Sequence, residues 1–223
     1  QMPTQPTHTV TDAAAIVGAS ASQIRNWCGQ FSGHLSPTAN PAPGQPRQLT
    51  PGDVATVQMS GHVVIAVNCT FRVAPWAAVL YAMDRGFWQH YLPEIERTFS
   101  GARVGMHLMP ARYRLATMKG VSGFRPYNNS GAGAISLAQY GGASRVLMLG
   151  YDLQHTGGRA HHHADHPRPL GNARQTSVDR WLVRFSELRT RLDAAGVEYV
   201  NCSRATALDW PRMTIEEALR ARG

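Results

Sequence analysis

The pattern of apolar and polar positions changes character near His62. Upstream, apolar residues come in short helical groups. Thr11 is placed to cap a helix through Asp12-Ala13-Ala14-Ala15-Ile16-Val17, which Gly18 ends, and Ser20 or Ser22 to start a second through Gln23–Cys28. Two short helices around a glycine turn have helix-turn-helix spacing, and a proline-rich loop over 36–47 follows them. Downstream, β-branched apolar runs predict strands at Val63–Asn68, Ala77–Asp84, Arg103–Leu108, Val146–Gly150 and Val197–Asn201. Between them, Phe87–Phe99 has helical spacing interrupted by Pro93, and Ala132–Tyr140 reads as a short helix. Ser177–Ala195 is the clearest helix, with Val178, Trp181, Leu182, Phe185, Leu188 and Leu192 on one stripe. A last helix starts at Thr214, with Glu217 in capping-box spacing. Strands alternating with helices predict an α/β fold, a mostly parallel sheet with flanking helices over 58–223. A small helical module over 1–57 precedes it.

Composition narrows this picture. The 43% hydrophobic content supports a real core, and no run reaches the roughly 18 apolar residues of a membrane span. The polar N-terminus has no apolar stretch of the signal-peptide kind, so no membrane partner is expected. Three widely spaced cysteines, Cys28, Cys69 and Cys202, fit a reducing cytoplasm better than a disulfide framework. The net charge of +8 is uneven: residues 1–57 are neutral, whereas 97–126 carry six basic residues and no acid. That block suits phosphates, in a nucleotide donor or in a nucleic acid, or is simply a solvated basic face.

Three constellations carry candidate chemistry. Tyr127-Asn128-Asn129-Ser130-Gly131 opens a helix, where free backbone N–H groups bind phosphate or carboxylate; the same string also serves as a plain helix cap. Asn68 and Asp84 end two apolar strands, at the sheet edge where open α/β folds place ligands, although Asp84 also reads as a turn or cap residue. Five of the ten histidines lie at 155–166, just after Gly150-Tyr151-Asp152. In an extended loop His161 and His163 share one side. The histidine cluster reads as a general acid or base oriented by Asp152 or Asp165, as a divalent-metal site, or as an exposed polar loop.

Two resemblances add to this reading. The string from Thr9 to Trp27 resembles the DNA-binding part of MerR-type regulators, with Arg47-Gln48-Leu49-Thr50 and Asp53-Val54-Ala55 similar to the wing and helix that follow. The resemblance gives Gln23, Arg25 and Asn26 base- or phosphate-facing roles and places Arg47 on the DNA backbone. It also implies a homo-oligomer, though no long coiled-coil heptad is present. A module with only two arginines and no net charge predicts weak DNA affinity for a single copy.

The second covers about residues 50–220. The order Val-Ile-Ala-Val-Asn, Tyr81-Ala82-Met83-Asp84, Asn129-Ser130-Gly131, Leu-Gly-Tyr-Asp, the histidine loop and Val-Asn-Cys-Ser resembles a Rossmann-like family common in phage genomes. That family is related to motility-accessory and pterin diphosphokinase-like proteins and to bacterial lipooligosaccharide sialyltransferases. The resemblance implies a nucleotide-dependent, glycosyltransferase-like transferase with a nucleotide sugar as donor. By the resemblance, Asn68, Asn129, Ser130 and Gly131 would hold the donor, with Asp152 in the strand-end motif; Asp84 at the strand end and Arg125 in the basic block join them as binding candidates on the residue reading. A histidine among His161, His163 and His166 would be the base. The family's opening Gly-x-Ser-Leu loop has no counterpart before Val63. The alternative is a non-catalytic DNA-binding or phage assembly protein on a degenerate nucleotide fold.

Overall fold

A computed structural model gives the fold of residues 8–12, 48–49, 62–154, 170–171 and 174–221, and the structural statements below concern these residues. The chain divides into two compact units, Gln1–Val64 and Ile65–Gly223.

In the first unit, strand β1 (His8–Thr9) pairs antiparallel with β2 (Gln48–Leu49), part of the segment likened to a wing. A helical turn begins at Val10. Its cap is Thr9, two residues earlier than the sequence predicts. The Asp12 amide donates to Thr9 Oγ1 at 3.1 Å, and Thr9 N–H donates back to Asp12 Oδ2 at 2.9 Å. Thr9 wins because Asp12 then stands three residues into the turn and can close a reciprocal capping box. The first predicted helix beyond Asp12, the whole of the second, and Gln23, Arg25, Asn26 and Arg47 lie outside the described residues.

The second unit is an α/β fold of Rossmann type. Four parallel strands pair in the order β3 (Ile65–Val67), β4 (Val79–Ala82), β5 (Ala102–Gly105) and β6 (Leu115–Thr117). Two more, β7 (Arg145–Met148) and β8 (Glu198–Asn201), form a parallel pair. Helices α1 (Arg85–Thr98), α2 (Ser130–Tyr140), α3 (Gln175–Ala194) and α4 (Ile215–Arg220) complete the unit. None is long and apolar enough to cross a membrane.

Local chemistry explains the differences from expectation. β3 starts at Ile65 because its partner strand begins at Val79; Val63 is left 78% exposed. It stops at Asn68, whose φ of 51° leaves the extended region and opens a 3-10 turn over Asn68–Arg72. Pro93 does not interrupt α1. The bond it cannot make would end on Gln89, and both residues are exposed, so water serves that carbonyl instead. β6 carries no apolar alternation, and three residues at a sheet edge give no periodic signal. The Thr214–Glu217 capping box forms as expected, with the Thr214 hydroxyl accepting from the Glu217 amide and Glu217 Oε2 accepting from Thr214 N–H.

Two cores hold the unit. On one face of the four-stranded sheet, Tyr81, Val104, Met118, Phe124 and Ala134 pack together, the last from α2. Between α2, α3 and β7–β8, Ile135, Met148, Phe185, Leu188, Leu192 and Trp210 pack into the second. The α3 stripe behaves as its spacing predicts: Val178, Phe185, Leu188 and Leu192 are buried, with Trp181 and Leu182 partly so. An aromatic cluster of Phe71, Phe87 and Tyr91 joins the 3-10 turn to α1, with edge-to-face ring pairs at 6.3–6.4 Å between Phe71 and the other two. Outside it, Arg72 clasps Glu94 through two parallel bonds of 2.6 and 2.7 Å.

β4 and α2 approach each other closely at Gly133. A Cβ on Gly133 would lie 2.6 Å from the Tyr81 hydroxyl oxygen, which is fully buried and has no hydrogen-bond partner. Gly133→Ala is therefore expected to cost about 1–3 kcal/mol through overpacking, whereas Tyr81→Phe removes an orphaned hydroxyl and should raise the melting temperature. Calorimetry on the two variants checks both signs. The Arg72 guanidinium, by direct hydrogen bonds, holds the Glu94 carboxyl below its ordinary value of 4.5. A depressed folded-state value means that the pair's contribution is complete above about pH 4.5 and is lost as pH falls through the lower folded value. Glu94→Gln should flatten this part of the acid limb of stability against pH and leave the neutral limb in place.

Candidate functional site

The carboxyl ends of the strands gather the polar residues of the second unit. Val67 is level with Tyr81 in the β3–β4 register, so Asn68 leaves the sheet beside Ala82 and Met83. Met83 N–H donates to Ser130 Oγ at 3.1 Å, which fixes the first turn of α2 against the end of β4. Asp84 follows as the exposed N-cap position of α1, although its side chain makes no capping bond. From the other side, Tyr151, just past β7, donates its hydroxyl to the Gly131 carbonyl at 3.1 Å. A Cβ on Gly131 would stand 2.9 Å from the Tyr151 ring, so only glycine permits this approach. The structure thus brings Asn68, Asp84, Asn129, Ser130, Gly131 and Asp152 to one rim around the start of α2.

The turn leading into α2 is strained. Tyr127 and Asn128 hold φ values of 54° and 49°, the left-handed region that costs non-glycine residues roughly 1–3 kcal/mol each. Tyr127 is buried in the second core, which over-determines its backbone. Asn129 then takes the N-cap, its Oδ1 accepting from Ala132 N–H at 3.0 Å, while Gly133 N–H returns to the Asn129 carbonyl at 2.8 Å. Asn129 is therefore an acceptor occupied within the helix. The N–H groups of Ser130 and Gly131 are the ones left without an acceptor in the helix, at its positive end.

At the end of β3, Asn68 has an Oδ1 that is buried without a hydrogen-bond partner. An acceptor in that state is suited to a ligand N–H or O–H. Desolvation, and to a lesser extent the charge of Asp84, push the buried Tyr81 phenol upward, so it stays neutral. Burial likewise pushes up the Tyr151 phenol.

Arg125 is placed elsewhere. Its N–H donates to Ser136 Oγ at 3.2 Å, six residues along α2 from Ser130 and roughly 9 Å along the helix axis at 1.5 Å per residue. The 97–126 basic block is split in the same way. Arg97, Arg103 and Arg114 lie around the start of β5, the opposite edge of the sheet from the rim. They cannot share a phosphate with the α2 turn, because the strands of the sheet stand between the two edges. His161, His163 and His166 lie outside the described residues. Among the described residues, no group of three or more His, Cys, Asp or Glu is arranged to hold a metal ion.

The strand-end rule also applies to residues that the sequence reading passed over. Asn201 ends β8 fully buried, and its Nδ2 donates to the Tyr151 carbonyl at 3.2 Å and to Thr206 Oγ1 at 3.1 Å. Its Oδ1 accepts from Ser203 N–H at 3.0 Å, and Ser203 Oγ accepts from Tyr151 N–H at 2.7 Å. The Asp152 carbonyl accepts from Ala207 N–H at 2.8 Å. This clamp fixes the chain as it leaves β7 toward the histidine loop. Its signal was present: Val200-Asn201 repeats the apolar-run-then-asparagine pattern of Val67-Asn68.

No family model matches the chain, and no curated protein or solved structure matches it. The site therefore stands on its own geometry. The clamp makes a direct prediction. Asn201→Ala leaves the Tyr151 carbonyl and the Ser203 amide short of partners, so it should cost about 2–3 kcal/mol, read as a fall in denaturation midpoint. It should also speed amide exchange at Tyr151 and Asp152 more than in the sheet.

Proposed function

We propose that the chain is a nucleotide-dependent transferase of the glycosyltransferase-like kind, with a nucleotide sugar as donor. One observation carries the reading: at the carboxyl edge of a parallel sheet, the Ser130 and Gly131 N–H groups have no acceptor within their helix, and the Asn68 amide oxygen at the end of β3 is buried without a hydrogen-bond partner. The N–H pair and the helix dipole suit a phosphate, and the Asn68 oxygen suits an amino or hydroxyl group of the nucleoside. Asp84 and Asp152 would repel a phosphate, so their place is on sugar hydroxyls.

In the proposed reaction, the bond between the sugar's anomeric carbon and the phosphate oxygen breaks, and the nucleotide leaves with the electron pair. The Ser130 and Gly131 N–H groups stabilise the charge that develops there. The acceptor hydroxyl forms the new bond to the anomeric carbon and loses its proton to a histidine from 161, 163 or 166. Asp152, at the anchored root of that loop, sits close in sequence to the base. The MerR-like character of the first unit makes DNA, or a partner bound to it, the proposed acceptor. The second reading, a DNA-binding or assembly protein on a nucleotide fold, draws on the same character and on the net charge of +8.

A melting screen separates the two. A nucleotide sugar at about 100 times its Kd should add ~2.7 kcal/mol of stability and raise the melting temperature by several degrees. Asn68→Ala should shrink that rise without unfolding the protein. Single alanine variants at His161, His163 and His166 should keep the rise, and at least one should lose turnover. No rise with any nucleotide, together with salt-sensitive DNA binding, would favour the second reading.

A further inference from the structure

The amino-terminal edge of the sheet holds a groove that the proposed transferase does not use. It encloses about 640 Å³ and is lined by residues 96–103 and Arg114. Arg103 on β5 is nine-tenths buried there and spends one bond on the Tyr113 carbonyl, 3.2 Å from its Nη1. Desolvation, with the nearby charge of Arg114 adding to it, pushes this guanidinium below its ordinary value, while Glu96 works in the other direction. Among the described residues, none of Arg97, Arg103 and Arg114 takes part in an ion pair, although Arg72, Arg145, Arg184 and Arg189 all do. Glu96 also lines the groove but forms no ion pair with Arg103, so the charge of this arginine has no hydrogen-bonded carboxylate beside it.

Two plainer explanations fall short. Arg97 stands in the last turn of α1 and favours that helix end by itself, but Arg103 and Arg114 belong to other elements. A solvated basic face would not bury one of its three arginines, Arg103, to nine-tenths of its surface. The groove is also roomier than a single phosphate requires, and Ser100 adds a hydroxyl to its lining.

We infer that this groove binds the phosphates of a nucleic-acid backbone, with Arg97, Arg103 and Arg114 as the contacts. The contacts are to backbone oxyanions, so the groove supplies affinity and position and reads no base sequence. It lies apart from the α2 turn, so it stands or falls independently of the transferase reading.

The test uses the full chain and a labelled 20-nucleotide single strand, with inorganic phosphate as the second arm. The double variant Arg97→Gln, Arg114→Asn alters exposed positions, and asparagine tolerates the left-handed φ of 47° at 114. Loss of two contacts should weaken strand binding at least tenfold at low salt and cut the slope of log affinity against log salt by about 1.4. The melting temperature and any nucleotide-sugar shift should stay as in the parent chain. Unchanged affinity and slope in the double variant would overturn the proposal, since the strand would then be bound elsewhere. So would binding of inorganic phosphate at the groove with none of the strand.

Discussion

The first turn of α2 is held from two sides, and the rest of the second unit is arranged around that grip. From β4, the Met83 amide donates to Ser130 Oγ; from beyond β7, the Tyr151 hydroxyl donates to the Gly131 carbonyl. Both bonds need a helix that comes unusually close to its neighbours. Gly131 makes room for the Tyr151 ring, and Gly133 makes room for Tyr81. At this turn two helix N–H groups are left without an acceptor in the helix, and the chain enters through the strained Tyr127–Asn128 step. Packing, backbone strain and the candidate binding site are therefore one structural feature.

The consequences reach the chain beyond β7. Asn201, Ser203 and Thr206 hold the Tyr151 backbone through both its N–H and its carbonyl. The chain therefore leaves β7 from a fixed root, and the segment that carries the proposed base starts there.

Much of this was legible in the sequence. The α3 stripe, the α4 capping box and the alternation of strands with helices follow from periodicity and caps, which are local properties. Asn68 and Asp84 stand out in the sequence as polar residues ending apolar runs, and Ser130 as part of a polar string that opens a helix. What escaped depends on tertiary contact. Pro93 passes within α1 because its face is exposed, and Thr9 displaces Thr11 as a cap because Asp12 can answer it. Asn129 reads in sequence as a ligand contact or a plain helix cap, and the helix takes its oxygen. The basic block at 97–126 looks continuous along the chain, yet β5 and β6 carry its members to opposite edges of the sheet.

The binding claim is tested most directly by amide resonances of the isotopically labelled full chain, followed while nucleoside diphosphates and nucleotide sugars are added in turn. Ser130 and Gly131 should show the largest changes, with the Asn68 side-chain amide moving alongside them. Saturable changes elsewhere with these three unmoved, or no saturable change at all, would contradict a phosphate seated on the start of α2.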